Sequence, residues 1–250
     1  MRSHGSLLAL LGGVLTCGAA SAQIPDKFTN LQVFPKDITK ADLVRSMREV
    51  ATELGVRCHH CHVGPDNLEG MDFAIDSKPT KRAAREMMKM VQSLNSGLLA
   101  SLPPRDEPRL KMSCVHCHRG AERPPETMNR ELTRIAQADG AAKAVLRYRE
   151  LRAKHYGDGR YDFGPQSIGI AASRLLEAGK PAEGLVLARL NVEFHPEIAN
   201  VHGQLGRFLM ATGDRAGAVQ AFEKALVLEP ENETARRGLA AAKQPASEKR

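Results

Sequence analysis

Two pentapeptides, Cys58-His59-His60-Cys61-His62 and Cys114-Val115-His116-Cys117-His118, hold most of the chemistry this chain can do. Each is C-x-x-C-H. Two thiols at that spacing can add to the two vinyl groups of one porphyrin, and the next histidine then falls under the ring, where its imidazole can take an axial position on the iron. The pattern occurs twice and uses four of the five cysteines. It predicts two covalently bound heme c groups, attached through Cys58, Cys61, Cys114 and Cys117, with His62 and His118 as iron ligands. The remaining histidines of the motifs, His59, His60 and His116, read as spacers. A zinc site built from the two cysteine pairs is a chemical alternative, but it leaves the histidine after each pair unexplained.

Each iron then needs a sixth ligand or an open position, and that choice separates a carrier from a catalyst. Upstream of the first motif, Leu43, Met47, Val50 and Leu54 fall on one face of a helix opened by Thr39 as N-cap, with Asp42 three residues on. Upstream of the second, a helix beginning near Pro79 carries Ala83, Met87, Met90, Val91 and Leu94 on one face, with Met88 turned to the side. Methionine is a common core filler. Beside two heme attachment motifs, a thioether on an apolar helix face is also a candidate soft ligand for iron.

The elements around these residues divide the chain. Residues 1–22 have the form of a secretory signal: Arg2, an apolar run from Leu7 to Leu15, and Ala20-Ser21-Ala22 before Gln23. The run is too short to span a bilayer. Cleavage after Ala22 would remove Cys17 and leave no thiol outside the two motifs; lipidation of Cys17 is the rival reading, poorly served by Thr16. The expected address is the periplasm. Residues 23–126 hold both motifs and form the expected diheme domain, closed by Arg123-Pro124-Pro125. Residues 127–160 are an expected helical connector, interrupted at Asp139-Gly140 and ending in the Gly157-Asp158-Gly159-Arg160 loop.

Residues 161–250 contain an internal repeat. Gly179 and Gly213, and Pro196 and Pro230, recur at the 34-residue interval of tetratricopeptide arrays. Leu205, Gly206, Ala218, Phe222, Ala225 and Pro230 fill the small and large positions of the second copy; the first is degenerate, and a helix over about Glu233 to Lys243 should cap the stack. Two repeats are few for independent stability, so they are expected to lean on the 127–156 helices or on the heme domain. The fold class is all-α. The formal charge of +7 is spread over both halves without a basic cluster or aromatic platform, so nucleic-acid binding is not expected.

Residues 29–123 resemble the cytochrome c subunit of photosynthetic reaction centres. The likeness runs through Asn30-Leu31-Gln32-Val33 with Pro35-Lys36-Asp37, Gly55-Val56-Arg57-Cys58 into Cys61-His62, Lys81 to Met90 with Asn95-Ser96, and Cys114 to Gly120. The resemblance implies a helix, a loop and C-x-x-C-H for each heme, with the helix running roughly parallel to the ring and donating a methionine. By position it makes Met47 the sixth ligand beside His62 and Met87 the sixth ligand beside His118, with Met90 one turn away as the rival. Those subunits carry four hemes in two such pairs and lack the repeats, whereas this chain has one pair of motifs. The likeness therefore bears on fold and ligation, not on photosynthesis.

Saturated His/Met irons would make the chain an electron carrier between redox partner proteins, its repeats serving as a docking surface and any membrane association running through a partner. The competing expectation is a diheme enzyme, peroxidase-like, with one open iron.

Overall fold

The computed structural model describes residues 24–103 and 108–244. The signal-like residues 1–22 and Cys17 lie outside them. The described chain is helical, with α1 over Lys40–Leu54, α2 over Pro79–Ser93, a single turn α3 over Val115–His118, and then α4 Met128–Asp139, α5 Ala141–His155, α6 Pro165–Glu177, α7 Pro181–Phe194, α8 Ala199–Ala211, α9 Arg215–Leu228 and α10 Glu233–Lys243. Its one extended pairing is an isolated antiparallel bridge between Val63 and Asp72. No described helix is long and apolar enough to cross a membrane.

The chain forms two compact units that meet in sequence between His116 and Cys117. That division falls inside the second pentapeptide, ten residues before the boundary expected at 126, because the residues after Cys117 are tied to the later chain: Arg160 donates to the carbonyls of Arg119 and Gly120.

In the first unit the helix ends follow local rules. Thr39 caps α1 by accepting from the Asp42 amide at 3.1 Å, a bond worth about 1 kcal/mol. Gly55 ends the helix in the left-handed conformation, φ 63°, which costs glycine nothing. Pro79 opens α2 at a position where no amide is needed. Packing is unusual: between residues 24 and 116, Met71 and Lys81 are the only described residues that are buried. The apolar face of α1 lines a cavity instead of filling a core.

The second unit is built conventionally. α6 pairs with α7, α8 with α9, and α10 covers the end, each helix start recurring at the repeat interval. The helices read as a connector, α4 and α5, form a further hairpin stacked on α6 and α7. Met128, Leu132, Ala144, Tyr148 and Leu151 share one core with Ile168, Ala171, Leu175 and Leu187. Tyr148 stands edge-on to Phe163 at 5.7 Å and to Phe194 at 5.1 Å. Three helix pairs and a cap are enough to bury a continuous core.

Candidate heme-binding site

The first pentapeptide begins as a tight turn over Cys58–His60, closed by the Cys61 and His62 amides donating to the Cys58 carbonyl at 3.2 and 3.0 Å. The first turn of α2 grips it. The Thr80 hydroxyl donates to the His60 carbonyl at 2.6 Å, and the Lys78 ammonium donates to the His59 carbonyl. Beyond His62 the chain doubles back through the Val63–Asp72 bridge. Gly64 is required there, since a Cβ would sit 2.7 Å from the Met71 Cα. The doubling-back delivers Phe73 to His62, with ring centroids 5.1 Å apart and tilted by 59°.

Met47, Cys58, Cys61 and His62 all border one cavity of about 580 Å³, together with Leu43, Val44, Val50, Leu54, Val56 and Leu68. That size is within the ~300–1,000 Å³ of ordinary small-molecule and cofactor sites. The expected apolar face of α1 therefore opens on this cavity, with Met47 in the middle of it.

The electrostatics suit an iron ligand. Burial, more than any charge, pushes the His62 imidazole down to about 4; Lys81, Arg85 and Lys78 act in the same direction, and the Phe73 carbonyl opposes them. At neutral pH the ring is uncharged and keeps a lone pair. Its Nδ1 is buried, and among the described residues nothing meets it at good hydrogen-bonding geometry. Burial also holds the Cys61 thiol above its usual range, against the Thr80 hydroxyl and the Lys78 and Lys81 cations. A neutral imidazole, two thiols and a thioether around an apolar cavity form a donor set that fits heme c. Among the described residues no three Cys, His, Asp or Glu side chains gather as a metal cluster. A porphyrin-held iron needs none, since the protein owes it at most two ligands.

Two residues that the periodicity did not mark help to hold this cavity. Lys81 is only 6% exposed, and its ammonium donates to the carbonyls of Phe73, Ala74 and Ile75 at 2.8, 3.1 and 2.8 Å while pairing with Asp76 at 2.9 Å. Arg85 binds the same carboxylate at 2.7 Å and the Asn30 carbonyl at 3.2 Å. A lysine placed with Ala84, Arg85 and Met88 at helical spacing was the available signal. Met88, expected to face sideways, borders the first cavity with those three residues.

The second set is divided between the units, and each part stands alone. On α2, Met87 and Met90 are both about half exposed, at 49% and 48%, on a face turned away from Met88. Beyond α2, Asn95 binds the backbone of Met112 in both directions at 2.8 Å, which fixes the approach to Cys114. His116 accepts from the Ser113 amide at 3.1 Å, and His59 pairs with Asp66 at 2.8 Å. Both histidines thus have local structural partners. In the second unit Cys117 is exposed. The His118 Nδ1 lies 3.0 Å from the Ala121 carbonyl. A carbonyl only accepts, so Nδ1 carries the proton and Nε2 keeps its lone pair.

A family model for the photosynthetic reaction centre cytochrome C subunit matches residues 16–152, more than half of the chain. The chain belongs to that family. Its members are heme c cytochromes, and membership points to a heme-based electron carrier. The match runs past both motifs through α4 and into α5, and ends before the repeats at 165–228. The Hsp70-Hsp90 organizing protein of Triticum aestivum is 34% identical over 116 residues, which cover 45% of this chain and 20% of that protein. The chain thus spans about a fifth of that relative's length. That relative, a tetratricopeptide protein, supports the reading of α6 to α9 as repeats of this kind.

Proposed function

We propose that this is an exported, periplasmic diheme cytochrome that passes single electrons between redox partner proteins, with both irons held by a histidine and a methionine. The observation that supports the first site is the convergence of Met47, Cys58, Cys61 and His62 on one apolar cavity. Heme c, when bound, supplies the one-electron chemistry. Cys58 and Cys61 would tether the porphyrin, His62 would offer a neutral imidazole and Met47, on α1, a thioether. The second site uses Cys114, Cys117 and His118, with Met87 as sixth ligand by family position and Met90 as its rival. Histidine and methionine together would raise the reduction potential of a bound heme and would leave no coordination position for substrate. The apolar side chains around Met47 would line the heme's surroundings when it is bound, a setting suited to outer-sphere transfer. The repeats provide a docking surface for a protein partner.

The deciding experiment is a pyridine hemochrome count with visible spectra on the full chain and on Met47→Ala and Met87→Ala. Two hemes per chain, with one losing methionine ligation in each variant, is the expected result. A resting spectrum dominated by high-spin, carbon-monoxide-binding heme overturns the carrier reading in favour of an open iron. An unchanged Met87→Ala spectrum moves the ligand to Met90.

A further inference from the structure

The loop after the second pentapeptide is held from a distance. Between His118 and Ala121 two bonds close: the His118 Nδ1–H donates to the Ala121 carbonyl at 3.0 Å, and the Ala121 amide donates back to the His118 carbonyl at 2.9 Å. The residues between them, Arg119 and Gly120, are both left-handed, at φ 48° and 70°. Glycine adopts that conformation freely, but arginine does so at a cost, so the turn needs an outside restraint. The Arg119 guanidinium is anchored to the Pro125 carbonyl at 2.7 Å, and the backbone carbonyls of the turn are held by Arg160. Its Nε donates to the Arg119 carbonyl at 3.2 Å and its Nη2 to the Gly120 carbonyl. A Cβ on residue 120 would already lie 3.2 Å from that Nη2. Arg160 is itself fixed, because its amide donates to Asp158 at 2.8 Å and Asp158 pairs with the nearly buried His155 at 2.8 Å.

We propose that Arg160 is a positioning residue for the His118 heme ligand, the helical unit reaching back through one guanidinium fork to set the orientation of an axial imidazole. The fork spans two successive carbonyls and locks the 119–120 turn, the turn presents the Ala121 carbonyl to Nδ1, and that hydrogen bond fixes the ring and raises its basicity toward iron. A lysine keeps the charge but cannot span both carbonyls, so the two side chains are not equivalent here. The inference rests on His118 being an iron ligand, and the parent protein tests that part separately.

The test compares the full-length holoprotein with Arg160→Lys, Asp158→Asn and Arg215→Lys. In the parent, two hemes per chain and a hyperfine-shifted His118 ring signal establish the ligation. In Arg160→Lys the expected result is two hemes retained, a His118 Nδ1–H that exchanges with solvent faster than in the parent, and a higher reduction potential for that heme alone, since a weaker donor stabilises the oxidised iron less. Asp158→Asn, which slackens Arg160 without removing it, shifts both readouts the same way by less. Arg215 bridges two carbonyls at the far end of the same unit, those of Ala241 and Gln244. Its lysine variant leaves both readouts unchanged. Parental exchange and potential in Arg160→Lys and Asp158→Asn overturn the proposal, as does an equal shift in Arg215→Lys.

Discussion

Asn95 and Met112 are joined by two hydrogen bonds that run in opposite directions: Nδ2 donates to the Met112 carbonyl and Oδ1 accepts from its amide, each at 2.8 Å. One side chain therefore satisfies both backbone groups of a residue in a segment without regular structure. It does so just past the end of α2 and two residues before Cys114. A backbone pair of this kind has no other partner in an irregular segment, so its loss leaves two orphaned polar groups.

Asn95→Asp keeps the acceptor and removes the donor, so Met112 keeps one bond. Asn95→Ala removes both. The expected order of stability is parent, Asp, Ala, with the full loss costing about 1–3 kcal/mol. Thermal melting followed by circular dichroism gives the order. The same series should lower the yield of the second heme while leaving the first, read as heme per chain after purification. An Asn95→Ala protein that melts with the parent would show that water replaces both bonds.

Met88 and Met87 are adjacent in sequence but belong to different faces of α2, Met88 on the cavity with Met47 and His62, Met87 half exposed. Met88→Ala should therefore disturb the His62 heme by opening space beside it, shifting its spectrum without removing methionine ligation. Met87→Ala should act on the other heme. Resolved potentials in a redox titration separate the two. A Met88→Ala variant that changes only the His118 heme would contradict the facing described above.

The parts of this structure that were legible in the sequence are those governed by local rules. Thr39, Gly55 and Pro79 set helix ends through their own backbone and capping chemistry, and the spacing of Gly179 to Gly213 marks turns that recur as built. α4 and α5 were harder. Their apolar positions look like those of any charged helix until Tyr148 is seen between Phe163 and Phe194, a contact that no periodicity encodes. Of the residues around the first cavity, Cys58, Cys61 and His62 stand out in the sequence because heme attachment demands fixed spacing, and Met47 because it falls on the apolar face of α1. Lys81 does not, since a lysine on a helix reads as solvated until the three carbonyls around it are placed by a distant bridge.

Gly206 lies against the Phe222 ring, and a Cβ there would come within 2.7 Å of Cε1. Alanine in place of glycine favours a helix by up to about 1 kcal/mol, but overpacking a filled core costs about 1–3 kcal/mol. The clash should win, because Phe222 is only 1% exposed and has no room to withdraw. Gly206→Ala is expected to lower the melting temperature of the repeat unit while leaving the visible heme spectrum at the parental shape. A stabilised variant would mean that Phe222 can rotate away from the helix.

His195 offers a pH-dependent handle on the same unit. Its Nε2 lies 3.0 Å from the Phe163 carbonyl, which only accepts, so the neutral ring donates from Nε2. Burial holds its pKa below the ordinary 6.5, with the Arg152 cation acting in the same direction and the Phe163 carbonyl and Asp162 opposing. Between the folded value and 6.5 the unfolded chain binds more protons, so stability falls as pH drops through 6.5 and is flat above it. Gln in place of His195 keeps a donor for Phe163 and cannot titrate. Melting temperatures taken from pH 7.5 down to 5 should therefore decline less steeply in His195→Gln than in the parent, with the two curves parallel above pH 7. Equal slopes throughout would place the acid sensitivity of this unit elsewhere.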